Sequence, residues 1–229
     1  MNPLIAGWVR RAFRAAGYHI EREDPQQPFL WSREPSFLEL LERIEGRTLV
    51  TPDRCFALYQ WVRMAAHLPG EFAELGVYRG GTALLIAEAA AGRTLHLFDT
   101  FSGMPATDGG VDVHREGDFR DTSLAAVQRL FADRGDVLFH PGRFPETAAA
   151  VAGRRFALVH VDVDIYQSVK DALEFFYPLL VPGGWLLFDD YDWQRTPGVR
   201  KALDEFLAAR SIPLLVSARY QAALQKPLS

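Results

Sequence analysis

Residues 156–192 read FALVHVDVDIYQSVKDALEFFYPLLVPGGWLLFDDYD, and the fold follows from how this stretch is divided. Phe156 to Val161 is an apolar run rich in β-formers, long enough for a buried strand and too short for a helix. It ends in Asp162-Val163-Asp164. Val169, Ala172, Leu173, Phe176 and Leu180 then recur with the spacing of one face of an amphipathic helix. Pro182-Gly183-Gly184 is expected to stop that helix and turn the chain. Trp185 to Phe188 is a second apolar strand, and it also ends in carboxylates, Asp189 and Asp190. A strand, a helix and a strand of these lengths make a right-handed crossover between parallel strands. Adjacent parallel strands lie about 4.8 Å apart. Both acidic pairs therefore gather at the edge where open α/β sheets bind their ligands.

So much negative charge at one dry edge calls for neutralisation, because neighbouring carboxylates raise one another's pKa. Oxygen-only ligands suit a hard divalent cation, Mg²⁺, Ca²⁺ or Mn²⁺, rather than zinc. Read from the residues alone, the metal is expected, but the individual roles of Asp162 and Asp164 stay open.

Outward from this crossover, the chain alternates strand and helix from Glu71 onward, the signature of a doubly wound parallel sheet. The expected strands are Glu71 to Val77, Thr94 to Phe98 and Val137 to His140, ahead of the two already described. Helices are expected over Thr82–Ala91, Ser123–Asp133 and Pro197–Ala209. Two short strands, Pro213 to Ser217 and Ala222 to Gln225, close a seven-stranded sheet with one antiparallel member. Before Glu71 the pattern is helical: one helix around Leu4, Trp8 and Phe13, another through Phe37, Leu38, Leu41 and Ile44, and a third from the cap Thr51-Pro52. The charged, proline-bearing run Glu21–Pro28 separates the first two as a loop. The division expected is a helical cap over residues 1–68, on the acceptor side and available for contact with a second copy, and a ligand-binding domain over 69–229.

Composition narrows the function. A hydrophobic content of 48% with 24% charged residues is that of a globular chain, and the net charge of −4 argues against a nucleic-acid partner. No apolar run reaches the ~20 residues of a membrane span. A single cysteine, Cys55, excludes an internal disulfide framework, and the expected location is cytoplasmic.

The turn after the first strand reads Glu74-Leu75-Gly76-Val77-Tyr78-Arg79-Gly80-Gly81-Thr82. Its glycines let a ligand approach the backbone, and the following helix offers free N–H groups. The spacing G-x-x-x-G-G departs from the dinucleotide fingerprint and from the phosphate-binding loop, which weighs against a nicotinamide dehydrogenase. Asp99 ends the second strand, where an acidic side chain accepts from ribose hydroxyls. Phe101 to Thr122 has no regular period and leaves the same edge, as a substrate-side lid would. His160 shares a strand face with Asp162 and is expected to be buried in the packing. Tyr166, Tyr191 and Trp193 flank the carboxylates, and Arg143 and Phe144 follow the third strand, where Phe144 is suited to stack on an adenine.

Five segments together carry a resemblance: Pro69–Val77 with Arg79-Gly80-Gly81; Phe98–Phe101 with Gly103-Met104-Pro105; Gly117-Asp118-Phe119 with Asp121-Thr122-Ser123; Asp162–Tyr166 with Ser168; and Asp189-Asp190-Tyr191. In these the chain resembles the macrocin O-methyltransferase family, Mg²⁺-dependent S-adenosylmethionine enzymes that methylate sugar hydroxyls of natural products. The resemblance spans about residues 48 to 225. It implies a Rossmann-like class I methyltransferase fold and a glycosylated small-molecule acceptor. It implies metal ligation by Asp162, Asp189 and Asp190 and a general-base role for Asp164. The cofactor contacts expected with it are Glu74, Gly76, Tyr78, Thr82, Asp99, Ser102, Gly142 and Phe144. Two readings compete with it: a catechol-type metal-dependent O-methyltransferase, and a non-catalytic S-adenosylmethionine-binding protein. Against the second, unpaired acids in an idle site would carry an uncompensated burial cost.

Overall fold

The computed structural model describes residues 29–228 apart from 91 and 209. Glu39–Ser229 forms one compact unit, and the chain up to Leu38 belongs to another. The helix expected around Leu4–Phe13 and the loop at Glu21–Pro28 lie outside the described residues. The described chain opens with a short 3₁₀ turn at Leu30–Arg33, followed by helix α1 (Pro35–Ile44) and helix α2 (Pro52–Ala65). Thr51 caps α2 with extended backbone and Pro52 occupies its first turn, as the local sequence requires.

Strands β1 (Glu71–Leu75), β2 (Leu95–Asp99), β3 (Val137–Pro141), β4 (Phe156–Val161), β5 (Leu180–Phe188), β6 (Leu214–Ala218) and β7 (Gln221–Gln225) form one seven-stranded sheet. Their order is β3-β2-β1-β4-β5-β7-β6, and only β7 runs against its neighbours. Helices α3 (Gly81–Ala89), α4 (Leu124–Leu130), α5 (Tyr166–Leu179) and α6 (Pro197–Ala208) make the crossovers and connections. This is the Rossmann-like α/β architecture of class I methyltransferases. Among the described residues no helix is long and apolar enough to cross a membrane.

The register decides where the site falls. Leu75 pairs with Phe98 on one side and with Val161 on the other, and Val161 pairs in turn with Phe188. The residues that follow these partners, Gly76, Asp99, Asp162 and Asp189, are thereby set side by side along one carboxyl edge. Beneath them β4 is buried at every position, and its Phe156 packs edge-on against Phe176 of α5, centroids 5.1 Å apart. Phe98, Phe144, Phe188 and Val169 belong to the same apolar cluster, so the edge rests on a rigid floor.

One expected boundary is corrected. Pro182-Gly183-Gly184 does not stop the chain but lies inside β5. The strand stays in the sheet by slipping register: Phe156 pairs with Leu180, and Leu158 with Trp185. A Cβ on Gly184 would meet three backbone carbonyl oxygens, of Val181, Phe156 and Ala157, at 2.9–3.2 Å. Gly183, in the left-handed region at φ 79°, donates its N–H to Lys226. The glycines form a bulge, which is the other common reason for glycine in a strand.

Gly76 also has a reason different from the expected one. With φ 84°, it abuts β4, and a Cβ there would overlap the carbonyl oxygen of Asp162. It permits close approach of a neighbouring strand, besides any approach of a ligand. Gly76→Ala is expected to destabilise the fold by about 1–3 kcal/mol through overpacking, with left-handed strain in addition. A urea midpoint equal to that of the unmodified chain would show that β1 and β4 can separate there without cost.

Candidate functional site

A cavity of about 500 Å³ opens over the carboxyl edge. One part of its wall is the turn after β1, with Gly76, Val77, Tyr78 and Thr82, beside Asp99, Gly142 and Phe144. Another part holds Asp162, Asp164 and Asp190, with Trp193 beyond them. The long segment after β2 supplies a third through Gly103, Met104, Pro105, His114 and Phe119. That segment is internally bonded: Met104 N–H donates to Asp118 O at 2.7 Å and Gly117 N–H to Met104 O at 2.9 Å. Its middle is tied down as well, because the carboxylate of Asp112 accepts the N–H of Tyr166 at the start of α5, at 2.9 Å. Gly198 of α6 closes on the same point, where a Cβ would sit 2.5 Å from Asp112 and 2.6 Å from the Tyr166 nitrogen.

Of the residues expected to touch a cofactor, Gly76, Tyr78, Thr82, Asp99, Gly142 and Phe144 line this cavity, whereas Glu74 and Ser102 do not. Ser102 is exposed on the loop. Asp99 does more than end a strand. One of its oxygens accepts the N–H groups of Val77 and Tyr78 at 2.7 and 2.9 Å, and the other accepts Phe101 N–H at 2.6 Å. The carboxylate thus holds the β1 turn and the start of the loop in register. Asp99→Ala is expected to weaken S-adenosylhomocysteine binding by about 1.5–3 kcal/mol, the value of one or two charge-assisted hydrogen bonds. Titration calorimetry with chelator present is the check, and an unchanged affinity would place the ribose-binding acceptor elsewhere.

Glu74 is fully buried behind the turn and faces His160, its register partner on β4. Nδ1 of His160 lies 2.9 Å from Glu74 Oε1, and Nε2 lies 2.9 Å from Asp189 Oδ2. Both ring nitrogens meet carboxylate oxygens, an arrangement that suits an imidazolium donating to each. Burial works against that charge, but the bonds to Asp189 and Glu74 prevail and push its pKa up to about 10. Burial also raises Glu74, against the lowering effect of the His160 hydrogen bond. The histidine is buried as expected, but it acts as an ionic bridge rather than as apolar packing.

Four aspartates converge at the ends of β4 and β5. Asp164 and Asp190 both adopt left-handed backbone, φ 59° and 61°, which Asp tolerates better than most residues. Oxygens of Asp162, Asp164 and Asp190 lie within 4.8 Å of one another, and so do ligand atoms of His160, Asp162 and Asp189. The second group is no nitrogen site, since His160 is spent on two carboxylates. Burial, followed by repulsion from Asp189, Asp190 and Asp164, holds Asp162 well above the usual carboxylate range. Asp164 is raised in the same way by burial and by Asp190. For Asp189 burial is outweighed by His160 and Arg54, and its pKa falls.

Asp189 is sealed from the cavity and already accepts three donors: His160, Gln221 Nε2 at 3.1 Å and Arg54 Nη1 at 3.3 Å. A carboxylate has about four lone-pair sites, so one remains. The expected ligands Asp162, Asp189 and Asp190 offer oxygen donors only, which suits a hard divalent cation, although the three oxygens that lie together are those of Asp162, Asp164 and Asp190.

Arg54 is the participant that sequence reasoning missed. It projects from the first turn of α2, is nearly buried, and places Nη1 2.9 Å from Asp190 Oδ1. The signal available was its position four residues before Leu58 and eight before Val62, a charge on the buried stripe of the helix. Arg47, Thr48, Leu49 and Val50, just before α2, also line the cavity. Of the flanking aromatics, Trp193 lines it, while Tyr166 and Tyr191 do not. The Tyr166 hydroxyl instead donates to Glu205 at 2.6 Å.

Comparison with known proteins gives concordant results. A family model described as macrocin O-methyltransferase (TylF) matches residues 46–218. The chain is 32% identical over 197 residues to 8-demethyl-8-(2,3-dimethoxy-alpha-L-rhamnosyl)-tetracenomycin-C 4'-O-methyltransferase of Streptomyces olivaceus, covering 75% of this chain and 74% of that one. It is 34% identical over 157 residues to mycinamicin III 3''-O-methyltransferase of Micromonospora griseorubida, covering 61% of each. Among solved structures, the O-methyltransferase NovP superposes with a TM-score of 0.69 at 27% identity, over 80% of this chain and 83% of that one.

Proposed function

The chain belongs to the macrocin O-methyltransferase family, and from that membership we propose that it methylates a sugar hydroxyl of a glycosylated natural product with S-adenosylmethionine as donor and Mg²⁺ as the assisting ion. The observation that carries this reading is the meeting of two features in one cavity: the β1 turn with Asp99, and the acidic group Asp162, Asp164 and Asp190. The relative named for a rhamnosyl-tetracenomycin supports a sugar hydroxyl as the acceptor.

Asp162, Asp189 and Asp190 are the residues that would hold the cation. When bound, the cation lowers the pKa of an acceptor hydroxyl, and S-adenosylmethionine supplies a methyl group on a sulfonium. The chain's own residues do the rest. Asp164 shares the wall with Asp162 and Asp190 and takes the hydroxyl proton as general base. Gly76, Tyr78, Thr82, Asp99, Gly142 and Phe144 form the proposed donor-binding wall. Glu74, out of reach behind the turn, acts through His160. Phe119, Met104 and Trp193 line the cavity together with the segment Arg47–Val50, and the acceptor is proposed to lie on that side. Positioning for in-line displacement is then the main source of rate.

The deciding experiment incubates the chain with S-adenosylmethionine, Mg²⁺ and a panel of glycosides, and follows each by mass spectrometry. A gain of one methylene on the sugar portion is the expected result. Methylation confined to catechols would overturn the sugar assignment.

A further inference from the structure

Arg54 stands where a loaded metal site has least room for it. Its Nη1 contacts Asp190 Oδ1 at 2.9 Å and Asp189 Oδ1 at 3.3 Å, so one nitrogen engages two of the three proposed ligands. The guanidinium is nearly buried, and burial disfavours its charge, yet Asp189, Asp190 and Asp162 more than compensate and its pKa is raised. Among the described residues, Arg54 pairs with Asp189 and Asp190, and His160 with Asp189. They differ in freedom. His160 is sealed within the sheet between Glu74 and Asp189, whereas Arg54 reaches in from a helix and also lines the cavity. A divalent cation needs carboxylate oxygens at about 2.1 Å, and a positive guanidinium within a few ångströms repels it.

On the metal-dependent reading above, we infer that Arg54 and the divalent cation compete for the Asp189 and Asp190 oxygens, so that Arg54 is a resident counter-cation that withdraws as the cation loads. Without the cation, the guanidinium keeps the buried carboxylates from facing one another uncompensated. With it, the guanidinium's donors are released into the cavity beside Thr48, Leu49 and Val50, the residues that precede it on the wall. Arg54 is thus a positioning residue whose state reports whether the site is loaded.

The test is Mn²⁺ binding to the full chain by calorimetry, for the unmodified protein, Arg54→Gln and Arg54→Lys. Arg54→Gln is expected to bind Mn²⁺ about tenfold more tightly, because one repelling charge is gone, and Arg54→Lys to stay within about threefold of the unmodified protein. Equal or weaker binding by Arg54→Gln would mean that the arginine supports the cation, and would overturn the proposal. A second measurement is independent of that variant's folding. In ¹⁵N-labelled protein, the Arg54 side-chain N–H resonance, assigned by its loss in Arg54→Lys, should move to the position of a free arginine at saturating Mg²⁺. A resonance that stays put at saturation refutes the withdrawal. If the unmodified chain binds no Mn²⁺ at all, the metal-dependent reading itself fails, a result distinct from either of these.

Discussion

Asp164→Asn is expected to lower turnover about 10²- to 10⁴-fold, and added Mg²⁺ is not expected to restore it. Asparagine keeps the shape and tolerates the left-handed backbone that Asp164 adopts at φ 59°, so the wall should stay in place. What it lacks is the ability to take a proton. Without a bound cation, burial and the neighbouring Asp190 raise the proton affinity of Asp164, and a cation on its neighbours removes part of that repulsion, so that the carboxylate is free to ionise and act as base. Asp162→Ala, Asp189→Ala and Asp190→Ala should behave differently: each weakens metal binding, and excess Mg²⁺ partly restores turnover. The measurement is turnover against Mg²⁺ concentration for all four variants on one accepted glycoside. Rescue of Asp164→Asn by Mg²⁺ would exchange its role with that of a ligand, and undiminished activity in all four would end the metal-dependent mechanism.

His160→Leu is expected to cost about 3–5 kcal/mol of stability, since it leaves two buried carboxylates without their shared counter-ion. Glu74 and Asp189 are both sealed from water, so neither can recover the loss by solvation. The pH dependence has a definite sign. His160 has a folded-state pKa of about 10, above its ordinary 6.5, so its stabilisation is complete below 6.5 and is lost as pH rises toward 10. Asp162 and Asp164, also raised, act in the same direction over their own range, whereas Asp189, lowered, withdraws stability only as the solution becomes acidic. Urea unfolding of the chelator-treated protein at pH 7 and 10 should show a fall in stability that is much reduced in His160→Leu. Equal slopes for the two proteins would show that the ring is neutral in the folded chain.

The parts of this molecule that could be read from sequence are those governed by neighbours along the chain. β4 has the expected limits, Phe156–Val161, because a continuous apolar run between turn signals has only one use in a parallel sheet. The aspartates at the ends of β4 and β5 were legible for the same reason, since strand termini fix the edge. Pro182-Gly183-Gly184 was misread because a bulge and a turn ask for the same residues; what distinguishes them is the carbonyls of Phe156 and Ala157, far away in sequence. The second role of Gly76 was hidden likewise, by the β4 backbone. Arg54 lay furthest out of reach, because its partners are 135 and 136 residues away and no local pattern pairs a helix-start arginine with a strand end. The ionic state of His160 needed the β1–β4 register, which places Glu74 opposite it.

The knot of Asp112, Tyr166 and Gly198 pins the middle of the long segment over the cavity, while Asp121 and Thr122 fasten its far end to Tyr78 and Arg79. The amide proton of Tyr166 is held by a carboxylate of that segment, and a substituent on Gly198 would pry the joint apart. Deuterium uptake at this one amide therefore reports how firmly Asp112 holds the start of α5, and it can be followed without any acceptor in hand.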